Sequence, residues 1–171
     1  MRLELTRCVL RAWRADDAPA LAEALNNRNV WLKVRDHIPH PYTVADAETY
    51  LQRQADNEPA QTLCIEVNGN VAGGIGLHPG KDVNRLTAEL GYWLAEPLWG
   101  RGIITEAVQA MVTHGFATLP LERIEAYVFA NNPASVRVLE KAGFEFEGRL
   151  RRSVIKDGQI LDSLLYAKLR E

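Results

Sequence analysis

Midway along the chain, Leu98 to Phe116 reads Leu-Trp-Gly-Arg-Gly-Ile-Ile-Thr-Glu-Ala-Val-Gln-Ala-Met-Val-Thr-His-Gly-Phe, a glycine turn running straight into an amphipathic helix. Pro97 precedes it, and Gly100 and Gly102 can take backbone angles that a side chain forbids. From Ile103 onward Ile104, Ala107, Val108 and Met111 recur at the three-and-four spacing of one buried face, with Glu106, Gln109 and Thr113 mostly outside it. Where this turn falls constrains the fold more than its composition does. It follows a strand read over 86–94, which itself follows two strands flanking Asn68-Gly69, the dipeptide that best favours a tight hairpin. A doubly wound nucleotide fold would alternate strand and helix from the start and carry its glycine turn near the beginning, so the order argues against that architecture.

The remaining segments complete an α+β arrangement. Leu5 to Trp13 reads as a first strand, and Asp16-Asp17 stand where an N-cap belongs before a short helix with Pro19, Leu21, Ala24 and Leu25, stopped by Asn26-Asn27. From Asn29 to Tyr42 no clean period appears, and the mix of Trp31, His37, Ile38, Pro39, His40, Pro41 and Tyr42 predicts an ordered loop or a short broken helix. Thr43 and Asp46 resemble a capping box for a helix carrying Ala47, Tyr50, Leu51 and Ala55. Strands follow at 62–67, 71–78 and 86–94, then the helix from 103 to about 118 and a strand at 123–129. Asn132-Pro133 opens a last helix that Gly143 closes. Phe144 to Leu150 and Ser153 to Leu169 finish as a hairpin around Lys156-Asp157-Gly158. The order predicts a single domain over 1–171, a central, mostly antiparallel sheet of six to seven strands with helices on both faces.

Charge and cysteine usage narrow the partners. A formal net charge of -2 gives no overall basic field for nucleic acid. Cys8 and Cys64 fall in strand-like segments without paired-ligand spacing, which reads as buried, reduced thiols. The first residues carry charge where a signal peptide would be apolar, and no apolar run reaches the roughly 18 residues that a membrane span needs. The expectation is a soluble cytoplasmic protein with no membrane partner.

A glycine turn that opens a helix leaves several N–H groups unpaired, aimed together and backed by the positive end of the helix dipole, a geometry suited to phosphate or diphosphate. Such turns are also ordinary punctuation, so competing motifs matter. Gly80-Lys81 lacks the glycine and hydroxyl residue of a P-loop, because Ile75 and Asp82 occupy those places. Gly74-Ile75-Gly76 has Pro79 where a dinucleotide motif needs its third glycine. His37 and His40 have no carboxylate or cysteine pattern to complete a zinc site, and no serine lies in a nucleophile elbow. No metal is expected.

Taken together, Glu89-Leu-Gly-Tyr-Trp-Leu, Trp99-Gly-Arg-Gly-Ile-Ile-Thr-Glu-Ala and Asn132-Pro-Ala-Ser through Lys141-Ala-Gly-Phe resemble the GNAT superfamily of acyl-CoA-dependent N-acetyltransferases, in its Rim-type, ribosomal-protein N-terminal branch. The opening Leu5-Thr-Arg-Cys-Val-Leu-Arg with Asp16-Asp17-Ala fits the same branch, so the likeness spans nearly the whole chain. The resemblance implies a sheet splayed in the middle and acetyl-CoA as acyl donor. Its diphosphate would lie on the turn formed by Trp99, Gly100, Arg101, Gly102, Ile103, Ile104 and Thr105, and its pantetheine arm along Tyr92, Trp93 and Leu94. Asn132 would hydrogen-bond that arm, and Ser135 would sit near the sulfur. Glu89 is the candidate base, as the lone carboxylate of an apolar strand, and the competing reading is an exposed strand residue. Trp31, His37, Tyr42 and the hairpin around Arg151 to Gln159 are candidate walls for an amine acceptor, a protein N-terminus or a small molecule; a homodimer is also compatible. Two departures stand out. Ile104 replaces a small residue but is expected to point into the core, and Leu139 stands where many relatives carry a general-acid tyrosine. These departures are what a non-catalytic acyl-CoA-binding module would show.

Overall fold

The computed structural model describes residues 2–56 and 62–171. Among them the strands are β1 (Arg2–Glu4), β2 (Val9–Arg11), β3 (Thr62–Val67), β4 (Asn70–Pro79), β5 (Thr87–Leu94), β6 (Arg123–Phe129), β7 (Glu145–Lys156) and β8 (Gln159–Leu169). The helices are α1 (Ala18–Leu25), α2 (Arg28–Trp31), α3 (Val44–Ala55), α4 (Ile103–Thr118) and α5 (Pro133–Lys141). The strands run in the order β1-β2-β3-β4-β5-β6-β8-β7, an eight-stranded sheet where six to seven were expected. The extra strand comes from the N-terminal end. The segment expected as one strand from Leu5 to Trp13 begins in a turn, closed by Leu5 N–H on the Cys8 carbonyl at 2.9 Å, and β1 and β2 pair antiparallel on either side of it.

The chain divides into two compact units, Met1–Gly76 with Tyr92–Ala107, and Leu77–Gly91 with Val108–Glu171. In the first, Leu21, Leu25, Val30, Ala47 and Leu51 from the three N-terminal helices, with Tyr42 from the segment between α2 and α3, form a buried cluster. Thr43 and Asp46 make the expected capping box. Asp17, by contrast, precedes α1 without capping it: its carboxylate is held at 2.8 Å by two nitrogens of Arg11 and by the Arg14 N–H. Asn68 and Gly69 take the two positive φ values, 51° and 80°, that a two-residue hairpin demands.

In the second unit, Ala126 and Val128 of β6 and Val108, Met111 and Val112 of α4 are buried. Gly115 admits Leu77, whose Cδ1 would collide with any Cβ there. Asn132 caps α5, and Gly143 closes it at φ 84°. The terminal hairpin turns at Asp157-Gly158, with Lys156 opposite Gln159. The parallel pairing of β5 with β6 covers only Thr87↔Arg123, Ala88↔Ile124 and Glu89↔Glu125, the splay that the family resemblance implies.

Candidate active site

The glycine turn is shaped by what surrounds it in sequence. A single 3-10 turn at Glu96–Leu98 leads in, and Gly100 and Gly102 sit at φ 74° and 75°. From Gly100 through Thr105 no backbone N–H finds a partner among the described residues; the first helical bond runs from Glu106 N–H to the Gly102 carbonyl at 3.2 Å. Two carboxylates bracket this cup, and each would repel an anion. Both are occupied elsewhere. Glu96 accepts the side-chain amides of Asn27 at 2.7 Å and Asn29 at 2.8 Å, while Glu106 accepts the backbone N–H groups of Thr6 at 3.1 Å and Arg7 at 2.8 Å. Arg101 is exposed in the turn, and Arg7 brings a second cation whose Nε lies 3.5 Å from the place a Gly102 Cβ would take. Nothing local in the sequence announces Arg7 or the two asparagines, because each reaches the turn through the fold.

The strand ahead of the turn offers main-chain groups. Ala95 N–H pairs with the Ala72 carbonyl of β4 at 2.8 Å, so by strand alternation Leu94 and Tyr92 turn their N–H and C=O groups to the edge away from β4. The Leu94 carbonyl is already taken by the Trp99 indole N–H at 2.7 Å, which ties the turn to the strand end. Gly73 and Gly74 acquire a purpose here unrelated to nucleotides. A Cβ on Gly73 would collide with the Trp93 carbonyl, and one on Gly74 would stand 2.6 Å from the Trp93 indole nitrogen.

Ile103, not Ile104, leads the buried stripe of α4: Ile103, Ala107, Val108, Met111 and Val112 are buried, and Ile104 is half-buried. The expectation that Ile104 enters the core is therefore corrected: Ile103, one full turn before Ala107, heads the stripe, and Ile104 lies at its margin. Tyr42 is 6% exposed and packs within the helical cluster, where burial pushes its hydroxyl up to about 12. Trp31 is half-buried and stacks on His40, ring centroids 5.6 Å apart, with the Arg28 guanidinium 5.6 Å from its ring centre; His37 is exposed.

In the second unit, Glu89 is half-buried on β5 and alone on its strand, but its register partner on β6 is Glu125. Glu125 binds Arg123 at 2.9 Å, and Arg123 holds Glu147 through two nitrogens at 2.8 and 2.6 Å. The Tyr127 hydroxyl donates to Glu125 at 3.3 Å, and its pKa is raised, first by burial and then by the charges of Glu125 and Glu89. Glu89 thus belongs to a carboxylate-rich sheet face, which a one-strand reading misses. Asn132 accepts the Ser135 N–H at 3.4 Å as N-cap, while its own amide nitrogen donates to nothing among the described residues. Ser135 is half-buried on the first turn of α5, and Leu139 is fully buried, so a residue there serves packing. Cys8 and Cys64 are free and buried, and burial pushes their thiols up to about 11 and about 12. Among the described residues no cluster of three metal-ligating side chains occurs, and no helix is long and apolar enough to cross a membrane.

A splayed mixed sheet with an N–H-lined glycine turn opening the helix after β5 is the arrangement of an acetyltransferase (GNAT) fold, and the likeness to known proteins agrees with it. The family model of the acetyltransferase (GNAT) domain matches residues 7–145. YoaA of Bacillus subtilis (strain 168), an uncharacterized N-acetyltransferase, is 30% identical over 176 residues, 96% of this chain and 94% of its own. The ribosomal-protein-serine acetyltransferase of Escherichia coli (strain K12) is 37% identical over 83 residues, 48% of this chain and 46% of its own. The structure of RimL, a ribosomal L7/L12 alpha-N-protein acetyltransferase in complex with coenzyme A, superposes with a TM-score of 0.86 at 21% identity, covering 99% of this chain and 98% of that one. The chain belongs to the GNAT acetyltransferase family, and it is an N-acetyltransferase with Rim-type enzymes among its relatives.

Proposed function

We propose that the protein transfers the acetyl group of acetyl-CoA to a primary amine, a protein N-terminal α-amine or a small-molecule amine, by direct attack in a ternary complex. The observation that carries this reading is the cup of unpartnered N–H groups from Gly100 to Thr105, with both neighbouring carboxylates turned to other partners. Amides so aimed at a helix start hold a diphosphate. The edge of β5 that Tyr92 and the Leu94 N–H turn away from β4 suits the amide-bearing pantetheine arm, which pairs with a strand as another strand would. The unused side-chain amide of Asn132 is a further donor for it. The Leu94 N–H is the candidate to polarise the thioester carbonyl, and Ser135 to donate to the departing thiolate.

The nitrogen must lose a proton before it attacks. At neutral pH an α-amino group with a pKa near 8 costs about 1 kcal/mol to deprotonate, and a lysine near 10.4 about 4 to 5. An N-terminal amine therefore asks less of the base, for which Glu89 is proposed, directly or through water. A face that also carries Glu125 and Glu147 favours a cationic acceptor, and its positive charge is what the base then removes. Trp31 and His37 are proposed for the acceptor's surroundings.

The reading is tested by melting the protein with acetyl-CoA, NAD or ATP, then following thiol release with N-terminal peptides and small amines. Stabilisation by acetyl-CoA alone, with amine-dependent thiol release, is the expected result. Stabilisation without release under any amine assigns a binding module instead, and stabilisation by NAD or ATP removes the acetyl-CoA reading.

A further inference from the structure

We propose that Arg7 is a direct contact to the donor's diphosphate, supplied from the turn between β1 and β2 rather than from the glycine turn itself. The proposal rests on the acetyl-CoA reading above and names a residue that the turn's own sequence does not contain. Its basis is placement. The backbone beneath Arg7 is fastened to the first turn of α4, because Glu106 accepts the N–H groups of both Thr6 and Arg7. From that anchor the side chain runs across Gly102, with Nε 3.5 Å, Cδ 3.8 Å and Cζ 3.9 Å from the position of a Cβ there. The guanidinium therefore stands beside the same N–H groups that would hold a diphosphate.

Its donors are available. The one ion pair Arg7 makes among the described residues, to Glu106, is long at 3.8 Å, and its side chain is 54% exposed. A guanidinium has five N–H donors in a fixed fork suited to phosphate oxygens. Arg7 also offsets the Glu106 charge at the mouth of the cup, which would otherwise oppose an incoming anion. Arg101, the cation that the sequence does place in the turn, has no hydrogen bond or ion pair to hold it among the described residues. A held cation loses less freedom on binding than a loose one.

The test uses Arg7→Ala and Arg7→Lys with three donors: acetyl-CoA, its 3′-dephospho form, and S-acetylpantetheine, which lacks the diphosphate. The N–H bonds to Glu106 come from the backbone and survive either substitution. Arg7→Ala is expected to raise the Kd of both coenzyme forms about tenfold, the scale of one half-exposed charge-assisted hydrogen bond. It should leave kcat/KM with S-acetylpantetheine within about twofold, and Arg7→Lys should recover part of the loss. An equal loss with S-acetylpantetheine would make Arg7 merely structural and overturn the proposal. So would a loss confined to the 3′-phosphorylated donor, or no loss at all. If the wild type binds neither coenzyme form, the acetyl-CoA reading itself fails, and that result is distinct because it precedes any variant.

Discussion

Arg11 and Arg123 each hydrogen-bond two carboxylates, and the two clusters differ in depth. Arg11 on β2 holds Asp17 through two nitrogens at 2.8 Å and also binds Glu66, with side chains 5%, 8% and 11% exposed. Arg123 on β6 holds Glu147 the same way and also binds Glu125, but here the exposures are 23%, 40% and 20%. The chemistry is nearly identical, so burial decides what each does. The deep cluster is closed to any ligand, and its hydrogen bonds outlast its desolvation. Burial pushes the Asp17 carboxyl up, yet the bonds from Arg11 and the Arg14 N–H outweigh it and leave its pKa below the ordinary range. The shallow cluster lies open beside Glu89 and Tyr127, where its field reaches whatever binds. One holds the N-terminal strands and α1 together; the other shapes a surface.

The sharpest way to break this contrast is Glu89→Gln, which removes a carboxylate from the open face. Loss of a general base lowers turnover by about 10² to 10⁴-fold. The loss should be greatest near pH 6 and shrink toward pH 9, where the acceptor amine sheds its proton unaided. Binding of acetyl-CoA and stability to urea should hardly change. Equal rates for variant and wild type across that range remove Glu89 from the chemistry.

Asp17→Ala is the matching experiment on the closed cluster. The variant leaves the buried Arg11 with Glu66 alone, and breaking a buried pair costs about 3 to 5 kcal/mol at the upper end, read as a lower urea midpoint at unchanged slope. The folded remainder should keep the wild-type KM for both substrates. A change in KM with little loss of stability would reverse the assignment of the two clusters.

Acid titration separates them more gently. The Asp17 pKa is lower folded than unfolded, so the folded state binds its proton less readily. Its stabilisation is whole above the ordinary value of 3.8 and drains away as pH falls through the depressed folded value. Wild type should lose stability over that acid window, and Asp17→Asn should flatten the loss. An unchanged acid limb in the variant would show that other carboxylates set it.

These clusters also mark where the chain could be read from its letters. Short-range chemistry was legible: the Thr43–Asp46 capping box, the Asn68-Gly69 turn, the Asn132 cap and the Gly143 stop each depend on residues a few positions apart. The glycine turn was legible for the same reason, since its donors are main-chain groups that need only the right φ. What escaped depends on pairing across the fold. Glu106 captures N–H groups one hundred residues away, which bends the expected first strand into a turn. Glu125 stands beside Glu89 only through a parallel register, and Arg7 reaches Gly102 only because the turn between β1 and β2 is fastened to α4. Nothing in the sequence neighbourhood of Tyr42 says which of three helices will cover it.

The smallest effect expected is also the one that tests depth itself. Glu147 is held well by geometry, and the hydrogen bonds from Arg123 lower its carboxyl pKa, with burial opposing only weakly. Solvent nonetheless screens it, and at 40% exposure a bidentate pair of this kind contributes at most about 1 kcal/mol. Glu147→Gln should therefore shift the urea midpoint slightly, and less again at high salt. Arg123 would keep Glu125 as a partner, so its charge on the face would be less fully offset. A cationic acceptor should then bind more weakly, raising its KM about two- to threefold with kcat unchanged. A stability loss as large as that of Asp17→Ala would mean the open cluster is as structural as the closed one, and exposure would not be what separates them.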